Sequence, residues 1–259
     1  MTTPRPITSF NCLTFDCFGT LVDWEGGIWN ALAPINKQLP EDHKHRDDRY
    51  GMLKKLIGHE MVVQKSKPNA LYSDVLAETY GELAKELGVE ASEDDKTKFG
   101  QSVGDWPIYP DTIEALNRLH SHFKLVILSN VDRDSFSRTL KNQFPNFTFD
   151  AIYTAEEIGS YKPDLNNFRY LIEHCDKDLG VKKENIIHTA QALSHDHVPA
   201  KQIGLASAWI ERGRDKEVKS VMGGTLEEYK DKVAFTWHYA TMGEMADAVD
   251  AIKKEQGNQ

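Results

Sequence analysis

Four short polar segments of this chain end or follow apolar runs and carry side chains capable of chemistry. They are Phe15-Asp16-Cys17-Phe18-Gly19-Thr20-Leu21, Leu128-Ser129-Asn130, Ser160-Tyr161-Lys162-Pro163-Asp164 and His195-Asp196-His197. An aspartate with an ordinary pKa near about 4 is ionised at neutral pH, so Asp16 needs no base to act as a nucleophile. Lys162 offers a cation. Ser129, Asn130 and the backbone N–H groups after Asp16 are donors for a carboxylate or an oxyanion. Each segment alone has a plainer reading. An Asp before Gly-Thr is a turn residue, Ser-Asn after a strand caps the next helix, and a lone lysine belongs on the surface. His195 and His197 flank Asp196, but one acid with two histidines at period-2 spacing is a loose pattern for a metal, and no metal site is expected.

These residues need a scaffold that brings distant segments together. Cys12 to Phe15 reads as a short buried strand running into a turn. Lys124 to Leu128 is continuously apolar after its first residue, which suits a parallel strand covered on both faces. Further strands are expected at Ala151–Tyr153, Asn185–Thr189 and Leu205–Ile210, with a sixth at Ala234–Trp237. Helical spacing recurs between them, at Thr112–His120, Asn166–Cys175 and His197–Ile203, and again at Met242–Lys253. Strand alternating with helix predicts an α/β, Rossmann-like parallel sheet, and the four segments then fall at strand C-terminal ends, where open sheets bind ligands. Residues 21 to 105 show no strand pattern. Ile28–Leu39 and the amphipathic Asn69–Leu87 read as helices, joined by a charged connector at Glu41–Arg49. The expectation is a core of residues 1–20 and 106–259 with a helical cap of residues 21–105 inserted after the first strand.

With 259 residues there is enough chain to bury a substantial core, and 40% apolar with 27% charged residues is the balance of an ordinary folded domain. A net charge of −9 argues against nucleic acid as a partner. Cys12, Cys17 and Cys175 have no metal-ligand spacing and read as reduced thiols. Met1 to Phe10 shows no secretory leader, and no apolar run is long enough for a membrane span, so a cytoplasmic protein is expected.

Taken in order, with a helical insertion after the first, the four segments resemble the four motifs of the haloacid dehalogenase superfamily, over residues 11 to 212. The details are most similar to the (S)-2-haloacid dehalogenase (type II) group. Phosphatases of the superfamily carry a second Asp two residues after the nucleophile, and here that place is Phe18. A phosphate ester leaves as an alkoxide that needs a proton, whereas a halide leaves as a stable anion. Segments Leu21-Val22-Asp23-Trp24 and Trp106-Pro107-Ile108-Tyr109-Pro110-Asp111 also resemble that group. The resemblance implies hydrolysis of short 2-haloalkanoic acids to 2-hydroxy acids through an ester on Asp16. Lys162, Ser129 and Asn130 would hold the anions, and Asp196 would orient Lys162 or the hydrolytic water. Cys17, Phe18, Thr20, Trp106, Gln191 and Lys54 are the expected substrate-binding residues. No cofactor is implied. The expected partner is a small anionic substrate rather than nucleic acid or membrane, and a homodimer is compatible with this.

Two departures concern the substrate. The family's cap arginine has no clear counterpart in Arg49-Tyr50-Gly51-Met52-Leu53-Lys54-Lys55, where Arg49, Lys54 or Lys55 are the candidates. The family's Ser and Asn before the last acid correspond to Gln191 and Leu193, and Leu193 cannot hydrogen-bond through its side chain. Three alternatives follow. A magnesium-dependent phosphatase would draw on Asp16, the Phe18 carbonyl and Asp196 as oxygen ligands. A phosphonate hydrolase would need a cap lysine, with Lys54, Lys55, Lys65 and Lys67 available. A non-catalytic binding protein on the same fold is disfavoured by the retained Asp16 and Lys162.

Overall fold

The computed structural model describes residues 5–213 and 220–257. Met1 to Pro4, part of the stretch read for a leader, lie outside the described residues. The chain forms two compact units, one of Met1–Val22, Ile108–Ser129 and Asn146–Gln259, the other of Asp23–Pro107 and Asn130–Pro145.

The first unit holds a six-stranded sheet of β1 (Cys12–Phe15), β2 (Lys124–Ser129), β3 (Ala151–Thr154), β4 (Ile186–Ala190), β5 (Ala206–Ile210) and β6 (Trp237–Tyr239), in the order β3-β2-β1-β4-β5-β6. Every pairing is parallel. The strand order reverses at β1 and β4, and a crevice opens at such a reversal because successive connections leave in opposite directions. Strands β1 and β4 are buried at every residue, as expected for a sheet covered on both faces. One face packs Cys12, Val126, Leu128 and Ile186 against Phe168, Leu171 and Cys175. The last three lie on a helix of the same unit, Leu165–Leu179, and recur at the spacing of one helical face. The sixth strand begins at Trp237 rather than Ala234. Thr236 N–H reaches the Ser207 carbonyl, which sets Trp237 opposite Ala208, while Phe235 packs on Trp209 instead of joining the ladder.

The second unit is helical: α1 (Trp24–Ala31), α2 (Ala33–Gln38), α3 (Arg49–Ser66), α4 (Tyr72–Leu87), α5 (Glu93–Gln101) and, from the later segment, α7 (Arg133–Gln143), with α6 (Thr112–His120) belonging to the sheet unit. No strand lies between residues 25 and 100. The single helix expected over Ile28–Leu39 is broken in two, because Pro34 at the start of α2 has no N–H to continue the ladder of α1. The helix expected from Asn69 starts at Tyr72. Residues 130–145 group with this unit and not with the sheet. Arg138 donates to the Gln101 carbonyl at 2.8 Å and to Asp105 at 2.5 Å, and Asn142 donates to Asp105 at 2.8 Å, which fixes α7 to the end of α5.

Candidate active site

The central group of the sheet unit is the Lys162 ammonium. Nζ donates to Asp16 Oδ1 at 2.8 Å, to Asp196 Oδ1 at 2.7 Å and to the Leu128 carbonyl at 3.0 Å. The three residues are each under a tenth exposed. A buried lysine needs compensating anions, and here the sequence supplies them from two different strand ends. Asp16 directly follows β1, and its N–H bonds to the Thr189 carbonyl of β4. Asp196 lies in a π-turn, Leu193–His197, which follows β4. Lys162 arrives from beyond β3, and its Nζ reaches the carbonyl next to the end of β2.

The loop after Asp16 is held tightly. The Cys17 carbonyl accepts from the N–H groups of Thr20, Leu21 and Val22, and Gly19 takes a positive φ of 99° that favours glycine. A Cβ at Gly19 would also strike the sulfur of Met222 at 2.4 Å. Thr20 Oγ1 donates to Asp16 Oδ2 at 2.8 Å and accepts the Gln191 N–H at 2.9 Å. Both oxygens of Asp16 are thereby oriented, one by a cation and one by a hydroxyl.

Burial raises the Asp16 carboxyl above the ordinary aspartate range. The Lys162 ammonium opposes this rise and the Asp196 charge reinforces it. Burial also disfavours the Asp196 anion, but Lys162 and the hydrogen bond from His188 outweigh it and hold that carboxyl low. Desolvation opposes the Lys162 charge, and the two carboxylates outweigh it, so the ammonium is held protonated. The Cys17 thiol is pushed up by burial and by Asp16, which makes it a poor nucleophile. The site thus contains one firmly ionised acid, one acid that protonates more readily, and a cation between them.

The structure brings Asp16, Thr20, Lys162, Asp196 and Gln191 into one hydrogen-bonded group. Cys17 and Phe18 adjoin it in the chain. Ser129 ends β2, and its hydroxyl is buried without a protein partner. Asn130, Trp106 and Lys54 belong to the helical unit. The N-cap of α7 is Asp132, so Ser129 and Asn130 do not serve that purpose. Trp106 is buried there, with its indole N–H on Ser102 Oγ at 3.1 Å and its ring against Gly27 and Trp24. Lys54 and Arg49 are exposed, and Lys55 pairs with Glu86. Gln191 Nε2 donates to Ser220 Oγ and to the Met222 carbonyl, while Leu193 packs on Trp209 and Val233, an apolar environment that needs no donor.

The two histidines beside Asp196 do not converge on a metal. His197 uses one ring nitrogen on Ser207 Oγ and the other on the Ala190 carbonyl, and burial pushes its pKa down to about 4. Among the described residues no three His, Cys, Asp or Glu side chains converge to hold a metal ion. Asp16 and Asp196 are both engaged by Lys162, and Phe18 provides no third carboxylate. A divalent cation drawing on Asp16 and Asp196 would therefore share both carboxylates with the Lys162 ammonium.

Two residues were not singled out from the sequence. His188 of β4 is fully buried and joins Asp196 Oδ1 at 2.8 Å. Its signal was a titratable ring inside the apolar run Asn185–Thr189, where a polar side chain must find a partner. Arg212, just past β5, donates through Nε to the Thr20 carbonyl at 2.9 Å and through Nη1 to Asp111 at 2.8 Å, and its guanidinium lies over the Tyr109 ring. It braces the back of the Asp16 loop, which nothing in its local sequence indicated.

The arrangement has counterparts. A family model described as haloacid dehalogenase-like hydrolase matches residues 10–189. The chain belongs to this hydrolase family. Within the family, an (S)-2-haloacid dehalogenase of Pseudomonas fluorescens is 24% identical over 207 residues, 76% of this chain and 83% of that protein. A glyceraldehyde 3-phosphate phosphatase of Methanocaldococcus jannaschii is 28% identical over 149 residues, 57% of this chain and 58% of that protein. The structure of L-2-haloacid dehalogenase from Xanthobacter autotrophicus with chloropropionic acid covalently bound superposes with a TM-score of 0.72, at 18% identity, covering 94% of this chain and 99% of that one. That likeness shows the fold, a parallel six-stranded sheet with flanking helices. No helix among the described residues is long and apolar enough to cross a membrane.

Proposed function

We propose that this hydrolase converts short 2-haloalkanoic acids to 2-hydroxy acids through an ester on Asp16. The observation that carries the reading is Phe18. Two residues beyond a buried, doubly oriented carboxylate stands a ring that can donate no proton. A halide leaving group needs none. In the first step an oxygen of Asp16 forms a bond to the carbon bearing the halogen while the carbon–halogen bond breaks and its electrons leave with the halide. Water then attacks the Asp16 carbonyl carbon, the alkyl–oxygen product departs as the hydroxy acid, and Asp16 is restored with one net proton released. Lys162 offsets the repulsion between Asp16 and an anionic substrate. The unpartnered Ser129 hydroxyl, and Asn130 next in the chain, are the proposed donors to substrate, and Asp196 is the proposed acceptor of water's proton. The similarity to (S)-2-haloacid dehalogenases supports the substrate class.

Magnesium-dependent phosphoester hydrolysis is the second reading, favoured by the phosphatase relative and opposed by Phe18. Halide release from each enantiomer of 2-chloropropionate separates the two. The expected result is release that is unchanged by a chelator. Because burial raises Asp16, kcat/KM should fall on acidification with a midpoint above the ordinary aspartate value of about 4, since protonation there removes the nucleophile. Phosphate release from small phosphoesters only with magnesium, and no halide from any haloacid, would select the phosphatase.

A further inference from the structure

His188 lies in the interior of the sheet, where Thr14 of β1 is its cross-strand neighbour, and it is fully buried. Its Nε2 is 2.8 Å from Asp196 Oδ1 and its Nδ1 is 2.9 Å from Thr14 Oγ1. A carboxylate oxygen only accepts, so Nε2 carries the hydrogen. With the hydrogen on Nε2 alone, Nδ1 accepts from the Thr14 hydroxyl. The edge of the Phe168 ring fixes the plane of the imidazole, with centroids 5.2 Å apart at 81°. Lys162 donates to the same oxygen, Oδ1, at 2.7 Å. Asp196 therefore has both donors on one oxygen, while Oδ2 is buried with no hydrogen-bond partner. An unpartnered buried oxygen carries a desolvation cost that persists only where the arrangement around it enforces it.

We propose that His188 is a positioning residue for ester hydrolysis: by pinning Oδ1 of Asp196 together with Lys162, it leaves Oδ2 as the oxygen that takes the proton from attacking water. The inference rests on the proposed ester on Asp16. Once that ester forms, Asp16 is neutral, and Asp196 is the remaining negative partner of Lys162. Water's oxygen bonds to the Asp16 carbonyl carbon, one of its protons passes to Asp196 Oδ2, and collapse breaks the bond to the alkyl oxygen. That oxygen leaves protonated at the expense of Asp196, and the regenerated Asp16 acid releases its proton to solvent. Halide is already gone before any of this, so His188 acts on the second half-reaction and not on the first.

This order of events gives a signature that general loosening of the core does not. In His188→Phe the ring volume against Phe168 is kept and the donor to Asp196 is lost. The expected result is an initial burst of halide equal to the enzyme concentration, followed by steady turnover reduced about 10- to 100-fold, the scale of a misplaced reacting group. Intact mass after rapid quench should show the ester accumulating. His188→Gln, whose amide N–H can reach the same oxygen, should restore turnover and abolish the burst. Thr14→Val, which removes the donor to Nδ1, should shift behaviour in the same direction by a smaller factor, and it serves if His188→Phe does not fold. A second readout uses no substrate: the carbon-13 carboxyl resonance of Asp196 should titrate at higher pH in His188→Phe and return in His188→Gln. Burst and steady phases reduced together, or turnover equal to wild type, would overturn the proposal, as would an Asp196 resonance unmoved by the substitution. Wild-type protein that forms no ester from any haloacid would instead defeat the dehalogenase reading and the step assigned to His188 with it, while the resonance alone still reports whether His188 orients Asp196.

Discussion

Asp16→Asn is expected to eliminate halide release, by at least about 10⁴-fold in kcat, the scale seen when a nucleophile is removed. The substitution keeps the size and most of the bonding. The Asn carbonyl oxygen can accept from Lys162, and its amide can donate to Thr20 Oγ1 once that hydroxyl turns, so the loop from Cys17 to Val22 retains its anchors. What disappears is the anionic oxygen. Stability should be kept or increased. Burial raises the Asp16 pKa, so its ionised form is a cost to the folded state above the unfolded pKa, and the neutral amide is spared that cost. Initial rates and thermal melts at pH 7 check both halves. An inactive variant that melts as wild type or higher identifies Asp16 as a residue kept for chemistry. An inactive variant that is also unfolded would assign it a structural task.

Lys162→Met should have the largest effect on stability. The ammonium is 2% exposed and lies between side chains that are 10% and 1% exposed. Removing it leaves two buried carboxylates facing each other without a cation. Breaking a buried pair from one side costs about 3 to 5 kcal/mol, which corresponds to a fall in Tm on the order of 10 °C for a domain of this size. In the variant both carboxyl pKa values rise in the folded state. The destabilisation is therefore full above the raised folded carboxyl pKa values, is relieved as the pH falls through them, and is gone below the unfolded values. Melts of wild type and variant should differ most near pH 8 and least near pH 5. A gap that widens on acidification would mean that the lysine does not serve to neutralise these acids.

Much of this site was legible because parallel strands fix where their C-terminal ends go. Once Cys12–Phe15, Lys124–Leu128 and Asn185–Thr189 are read as neighbouring buried strands, Asp16 and Ser129 must fall at one edge of the sheet. Lys162 and Asp196 follow from connections that begin at that edge. The contacts of His188 and Arg212 were not legible, since each depends on which face a side chain takes and on a partner from a distant segment. Arg49–Ser66 and Glu93–Gln101 were missed as helices for a different reason. Their buried residues are few, Met52, Leu53, Leu56 and Val63 in the first and Phe99 and Gly100 in the second, so no apolar stripe stands out. The second is marked by its capping box, Ser92 with Asp95, and not by periodicity. Arg133–Gln143 joins the helical unit through polar side chains, which leave no hydrophobic signature of that allegiance.

The central claim is that water attacks Asp16 and not the substrate. It is tested by running 2-chloropropionate turnover in water enriched in oxygen-18 and mapping the label by mass spectrometry. With enzyme in excess and a single turnover, the account predicts unlabelled 2-hydroxypropionate and one heavy oxygen in the peptide containing Asp16. With many turnovers, both Asp16 oxygens and the product become labelled. Label found in the product of the first turnover, with none in Asp16, would show direct attack by water on the carbon–halogen bond and contradict the account.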